Sequence, residues 1–235
     1  MLRRLDREQP LNFKFSKENL VWAKKQLTKY PKSRKQSAVI PLLFRAQEQE
    51  GWISKPAIEV IAKMLDMAPI RVFEVASFYF MFHLSPVGSM AHIQVCGTTP
   101  CMLRGSEDLI GLCKNKISKK PMDLAHGGKI SWEEVECLGA CSNAPLVQIG
   151  SDYYEDLDTK SFSMIIDNLI SGIKPMPGSH QDRFSSEPAN NLTTVKAKVV
   201  EKQNASVSLF TQDIIKKSKQ KIKRSPIIKK DGSDA

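Results

Sequence analysis

Four cysteines, Cys96, Cys101, Cys137 and Cys141, carry the most distinctive chemistry available to this chain. They form two tight pairs, with four residues inside the first and three inside the second. Each pair follows a segment with strand character, so each is expected on a loop at a strand end. Two such loops, supplying two thiolates apiece, can close a four-sulfur pocket of the kind that holds zinc or an iron–sulfur cluster. Structural zinc sites favour the tighter C-x2-C spacing. The C-x4-C opening matches one iron–sulfur spacing, but the distant C-x3-C here does not continue that pattern. Spacing alone favours a [2Fe–2S] cluster over zinc only modestly.

The neighbouring residues favour the cluster. Gly97, Thr98, Thr99, Gly139 and Ala140 are small and let backbone N–H groups approach the sulfurs. Such hydrogen bonds stabilise an anionic cluster and tune its potential. Val95, Met102, Leu138 and Pro145 are placed to shield the site from water. Arg104 is either a nearby cation or an ordinary exposed arginine. The fifth cysteine, Cys113, falls on the apolar face of an expected helix and reads as a core residue rather than a ligand. His92 in a strand and His126 in a glycine-rich turn read as neither ligand nor base. The chain contains no G-x-G-x-x-G, no P-loop, no G-x-S-x-G elbow and no H-E-x-x-H. It can hold a one-electron centre, and electron carriage for a partner follows as the expected task.

The elements that must position these residues fall into three regions. Residues 1–88 read as helical. Ser16 caps a helix carrying Leu20, Ala23 and Leu27, which Pro31 ends. A second helix spans 36–50, with Ile40, Leu43, Ala46 and Gln47 on one side, Pro41 in its first turns and Gly51 at its end. Ser54 and Pro56 start a third helix with a stripe of Ile58, Ile61, Ala62 and Leu65. Pro69 opens a fourth, carrying Val72, Phe73, Ala76 and Phe80. Residues 89–174 read as strand, helix, strand, strand, helix: a strand at 91–95, a helix at 103–117, a strand at 129–136, a hairpin around Gly150-Ser151, and a helix at 161–170. Residues 175–235 are polar and basic and are expected to be an extended or disordered tail. A short basic amphipathic helix at 207–223 is the other reading.

Composition sets the class. With 235 residues and 41% hydrophobic content the chain can bury a core in one large domain or two small ones. Five cysteines without an expected export signal argue for metal binding in a reducing compartment over disulfides. The first ten residues mix basic residues with Asp6 and Glu8 and lead into no apolar stretch, which speaks against a signal or transit peptide. No apolar run approaches the ~18–20 residues of a membrane span. The net charge of +10 sits mainly in 196–235, where eleven basic residues face four acidic ones. It belongs to a tail rather than a folded face, which weakens any nucleic-acid reading.

Two runs are specific enough to name a family. They are Cys96-Gly97-Thr98-Thr99-Pro100-Cys101-Met102-Leu103-Arg104-Gly105 and Glu136-Cys137-Leu138-Gly139-Ala140-Cys141-Ser142-Asn143-Ala144-Pro145. They resemble the signatures of the small iron–sulfur subunit in the NADH-oxidising module of respiratory complex I. The stretch SAVIPLLFRAQEQEGW at 37–52, the run Phe73-Glu74-Val75-Ala76-Ser77-Phe78-Tyr79 and the run Tyr153-Tyr154-Glu155-Asp156-Leu157 resemble it too. The likeness covers about residues 15–178 and not the tail.

The resemblance implies an α+β chain, with an N-terminal helical bundle followed by a thioredoxin-like domain. It implies that Cys96, Cys101, Cys137 and Cys141 bind one [2Fe–2S] cluster. It implies docking against a larger flavoprotein subunit that binds NADH and FMN, within the peripheral arm of complex I, with no nucleic acid and no membrane span of its own. The expected place is the cytoplasmic face of a bacterial inner membrane, or the mitochondrial matrix side. Similar subunits serve NAD-linked hydrogenases and formate dehydrogenases, which are the alternative parent complexes. Four thiolates around an oxidised cluster core sum to about two negative charges, and reduction adds one more. Buried excess charge is costly, so loop amides and nearby cations must offset it.

Two readings from other classes compete. Residues 57–65 followed by 67–72 have a helix-turn-helix rhythm, which suits a cluster-bearing DNA sensor. The second helix, 70–80, offers only Arg71 and Glu74 early and has no Asn, Gln or Lys to read base edges. The other reading is a zinc-stapled interaction module.

Overall fold

The computed structural model describes residues 3–188; the expected tail beyond them lies outside the described residues. The described residues divide into two compact units, 3–92 with 117–132, and 93–116 with 133–188. Among the described residues no helix is long and apolar enough to cross a membrane.

The first unit is built on helices. Ser16 caps α1 (Lys17–Leu27), its hydroxyl accepting from the amide of Asn19. A 3-10 segment (Lys32–Ala38) leads into α2 (Val39–Glu50), which Gly51 ends. The helix expected from 36 therefore begins at Val39. Pro41 then lies in its first turn, where a missing N–H leaves no hydrogen bond unmade. Its fully buried stripe is Val39, Leu42, Leu43 and Ala46, with Ile40 partly buried and packed against the same core and Gln47 half-buried. Ser54 caps α3 (Lys55–Leu65), which buries Ile58, Ile61, Ala62 and Leu65 as expected. The fourth helix, α4 (Pro69–Phe78), stops short of Phe80, because Tyr79 leaves in extended backbone at φ −85° and ψ 117°. Phe82 is buried in its place, and Phe80 is 74% exposed. Phe13, Phe15, Leu42, Ile61, Leu65 and Phe82 belong to one apolar core here.

The second unit carries most of a mixed five-stranded sheet. In chain order the strands are β1 (Ala91–Cys96), β2 (Ile130–Val135), β3 (Val147–Ile149), β4 (Asp152–Glu155) and β5 (Gly178–Ser179). Across the sheet they run β2-β1-β3-β4-β5. β3 is antiparallel to β1, pairing Ile149 with Ile93, and antiparallel to β4 through the expected hairpin. β5 runs parallel to β4, with Gly178 opposite Tyr154. The single helix expected over 103–117 is two: α5 (Thr99–Leu103) and α6 (Ser106–Lys116). Gly105, at φ +98°, breaks it. The last helix, α7 (Thr159–Ile170), opens on an Asp158–Ser161 capping box. Residues 175–188, expected as the start of a tail, instead pair with the sheet edge through β5 and fold back onto it.

Candidate metal centre

β1 ends on Cys96, and α5 carries Cys101 on its first turns. Cys101 therefore sits on a helical turn rather than in an open loop. β2 ends at Val135, two residues before Cys137, and Cys141 opens a 3-10 turn over Cys141–Asn143. The amide of Gly97 donates to the carbonyl of Val135 at 3.0 Å, which ties the first cysteine loop to the strand leading into the second.

The four sulfurs meet from two sides of different character. Cys96 and Cys101 are fully buried, in an apolar cluster with Ala144 and Leu146 that Leu138, Ala140 and Tyr153 pack against. Cys137 and Cys141 are exposed. Their sulfurs stand 3.6 Å apart, far beyond the ~2.05 Å of a disulfide. All four thiols are free. Val95 and Pro145 are buried and Leu138 half-buried, as expected of a shield, but Met102 is exposed.

Donors converge on the sulfurs. The Thr98 hydroxyl lies 3.4 Å from Cys96 Sγ, and the Gly139 amide donates to Cys137 Sγ at 3.4 Å. Gly139 holds φ +83°, a left-handed backbone that lets this amide turn inward at no steric cost. Burial pushes the Cys96 thiol up, but hydrogen bonds from the Thr98 side chain and from the Thr98 and Leu138 backbones outweigh it, so its pKa falls below the usual value. Cys137 is lowered too, first by the Gly139 amide and then by the Cys141 and Thr98 side chains. Burial, followed by hydrogen bonding to Cys96 and its charge, pushes Cys101 up to about 12. Cys141 is raised, first by its hydrogen bond to Cys137. Thiolates this close resist being charged together, and a bound cation removes that resistance. The donor set thus fits a metal centre that takes four thiolates and accepts amide hydrogen bonds.

Other sequence candidates fall elsewhere. Cys113 is buried on α6, its thiol pushed up to about 12 by burial. Arg104 is exposed at the end of α5, lining a cavity of about 340 Å³ with Asp108, Pro145 and Asp158. His92 Nδ1 lies 2.8 Å from the Ser131 hydroxyl. His126 occupies a left-handed turn at φ 52°. Sequence reasoning missed Tyr153 and Arg183, which hold the second cysteine loop from outside, and Asn143, which closes it. Tyr153 and Asn143 lie in runs that mark the family but carry no chemistry legible from spacing, and Arg183 lies in what reads as tail.

The sequence model of the thioredoxin-like [2Fe-2S] ferredoxin family matches residues 23–170. An E subunit of NADH-quinone oxidoreductase from Rhizobium meliloti (strain 1021) is 57% identical over 194 residues, covering 82% of this chain and 70% of its own. The corresponding E subunit from Rickettsia bellii (strain RML369-C) is 53% identical over 159 residues, covering 67% of this chain and 95% of its own. The chain belongs to the thioredoxin-like [2Fe-2S] ferredoxin family, within its group of NADH-quinone oxidoreductase E subunits. A solved NAD+-reducing [NiFe]-hydrogenase in the H2-reduced state shares the fold, at TM-score 0.52 and 17% identity, over 59% of this chain and 23% of that one.

Proposed function

We propose that this chain is the one-electron carrier subunit of an NADH-quinone oxidoreductase, with Cys96, Cys101, Cys137 and Cys141 as the ligands of one [2Fe–2S] cluster. The observation that carries this reading is the convergence of four unbridged thiols, with amide and hydroxyl donors aimed at them, inside the family's domain. The bound cluster supplies a centre that takes up and releases a single electron. The chain supplies the rest. Cys96 and Cys101, buried in the apolar cluster, would hold it from the inner side, and the exposed Cys137 and Cys141 would hold it from the other. Thr98 and Gly139 donate to sulfur and offset negative charge, which sets the potential.

The partner is a larger flavoprotein subunit that binds NADH and FMN. The helical part, residues 1–88, and the thioredoxin-like part, 89–174, serve as separate contributions to that assembly. The protein is peripheral, on the cytoplasmic face of a bacterial inner membrane. The respiratory parent is preferred over a hydrogenase or formate dehydrogenase because relatives at 48–57% identity carry the NADH-quinone oxidoreductase name, whereas the hydrogenase shares the fold alone.

Anaerobic purification from cells able to build such clusters tests the reading. Iron and acid-labile sulfide are expected at about two each per chain, with an EPR signal on reduction. Zinc in a colourless protein would overturn it.

A further inference from the structure

The second cysteine loop is gripped at both ends by side chains from outside it. At its start, the Tyr153 hydroxyl of β4 donates to the Leu138 carbonyl at 2.8 Å. At its end, Arg183 Nη2 donates to the carbonyl of Ser142, the residue after Cys141, at 2.8 Å. Arg183 is itself fixed by a two-pronged pair with Asp156, Nε to Oδ2 at 3.0 Å and Nη2 to Oδ1 at 2.5 Å. Both side chains are largely buried, at 13% and 6% exposure. The Ser179 hydroxyl donates to the same carboxylate at 2.6 Å. Asn143 completes the lock: its Nδ2 donates to Glu155 Oε2 at 2.8 Å and to the Ser185 carbonyl at 2.7 Å. Its own carbonyl accepts from the Asp156 amide at 2.8 Å.

The loop has little of its own to hold it. Its regular structure is one three-residue 3-10 turn, and its two cysteines are exposed. Tight 3-10 turns are poorly bonded, so side-chain hydrogen bonds must place the sulfurs. A buried, charge-assisted two-pronged pair is directional enough for that task. Residues 178–187, which supply Ser179, Arg183 and Ser185, lie past the matched family span of 23–170.

We propose that Arg183 and Tyr153 are positioning residues that clamp the Cys137–Asn143 loop, making the strap at 178–187 part of the cluster site. This rests on the electron-carrier reading above. Arg183 also sets charge. Removing its cation beside the loop disfavours the more negative reduced cluster and lowers the potential. Tyr153→Phe keeps the ring and removes only the hydroxyl.

The test uses the full-length chain with its cluster, as wild type, Arg183→Gln, Arg183→Lys and Tyr153→Phe. It measures midpoint potential by EPR-monitored titration, the EPR line shape, and the rate of iron loss to a chelator. Arg183→Gln is expected to shift the potential downward and speed iron loss at least fivefold. Arg183→Lys should recover most of the potential but not the slow iron loss, since one ammonium cannot hold both Asp156 and Ser142. Tyr153→Phe should speed iron loss about threefold and broaden the EPR signal, with unchanged thermal stability before cluster loss. Wild-type potential, line shape and iron loss in both Tyr153→Phe and Arg183→Lys would overturn the clamp while leaving the carrier reading intact. A wild-type chain without iron and sulfide would overturn both.

Discussion

Cys96 and Cys101 lie in an apolar cluster while Cys137 and Cys141 face outward, so the same substitution has different consequences at each. Cys96→Ser, Cys101→Ser, Cys137→Ser and Cys141→Ser are each expected to remove at least nine-tenths of the EPR spin count. At the two buried positions a serine hydroxyl also goes unsatisfied, which costs about 1–3 kcal/mol in urea unfolding. The outer pair should lose the signal without that cost. Cys113→Ser should show the reverse, a stability loss of about 1–3 kcal/mol with an unchanged signal. A full signal in Cys137→Ser would reject the ligand set. The two close cysteine pairs and their small neighbours are legible in the sequence as a four-thiol set, because each pair is local in the chain. Thr98 counts in the sequence only as a small residue, yet the turn into α5 places its hydroxyl against Cys96.

The helices were well marked in the sequence where a cap or glycine bounds them. Ser16, Ser54 and Gly51 sit where local chemistry put them, since capping depends on only a few adjacent residues. The misses are where neighbours in space decided. Phe80 has the spacing to continue the α4 stripe, but the chain leaves the helix at Tyr79 and buries Phe82. The turn into β1 makes a prediction of its own. A Cβ on Gly88 would lie 2.3 Å from the Ala91 carbonyl oxygen and 2.6 Å from the Ile130 Cα, both backbone atoms that cannot swing away. Gly88→Ala is therefore expected to destabilise the protein by about 2–3 kcal/mol through overpacking. Chemical denaturation measures this, and a loss under ~0.5 kcal/mol, the ordinary range for a surface site, would contradict it.

At the scale of the whole molecule, the chain concentrates its chemistry in thiolates and has no glycine-rich phosphate turn of the dinucleotide-binding kind. The purified, flavin-free chain is thus expected not to turn over NADH, and cluster reduction by NADH should appear only when the flavoprotein partner is added. Stopped-flow bleaching of the cluster absorption measures this, and rapid bleaching by NADH alone would contradict it. The amino-acid order by itself determined the helix caps, the hairpin at Gly150 and the identity of the four thiols, because each depends on residues close in the chain. Only the tertiary structure decided that one cysteine pair is buried and the other exposed. Only it brought Arg183 to Asp156 and Ser142. Those outcomes depend on which strands pair and in what register, and on a parallel β5 closing the sheet edge, contacts between residues far apart in sequence that no local pattern encodes.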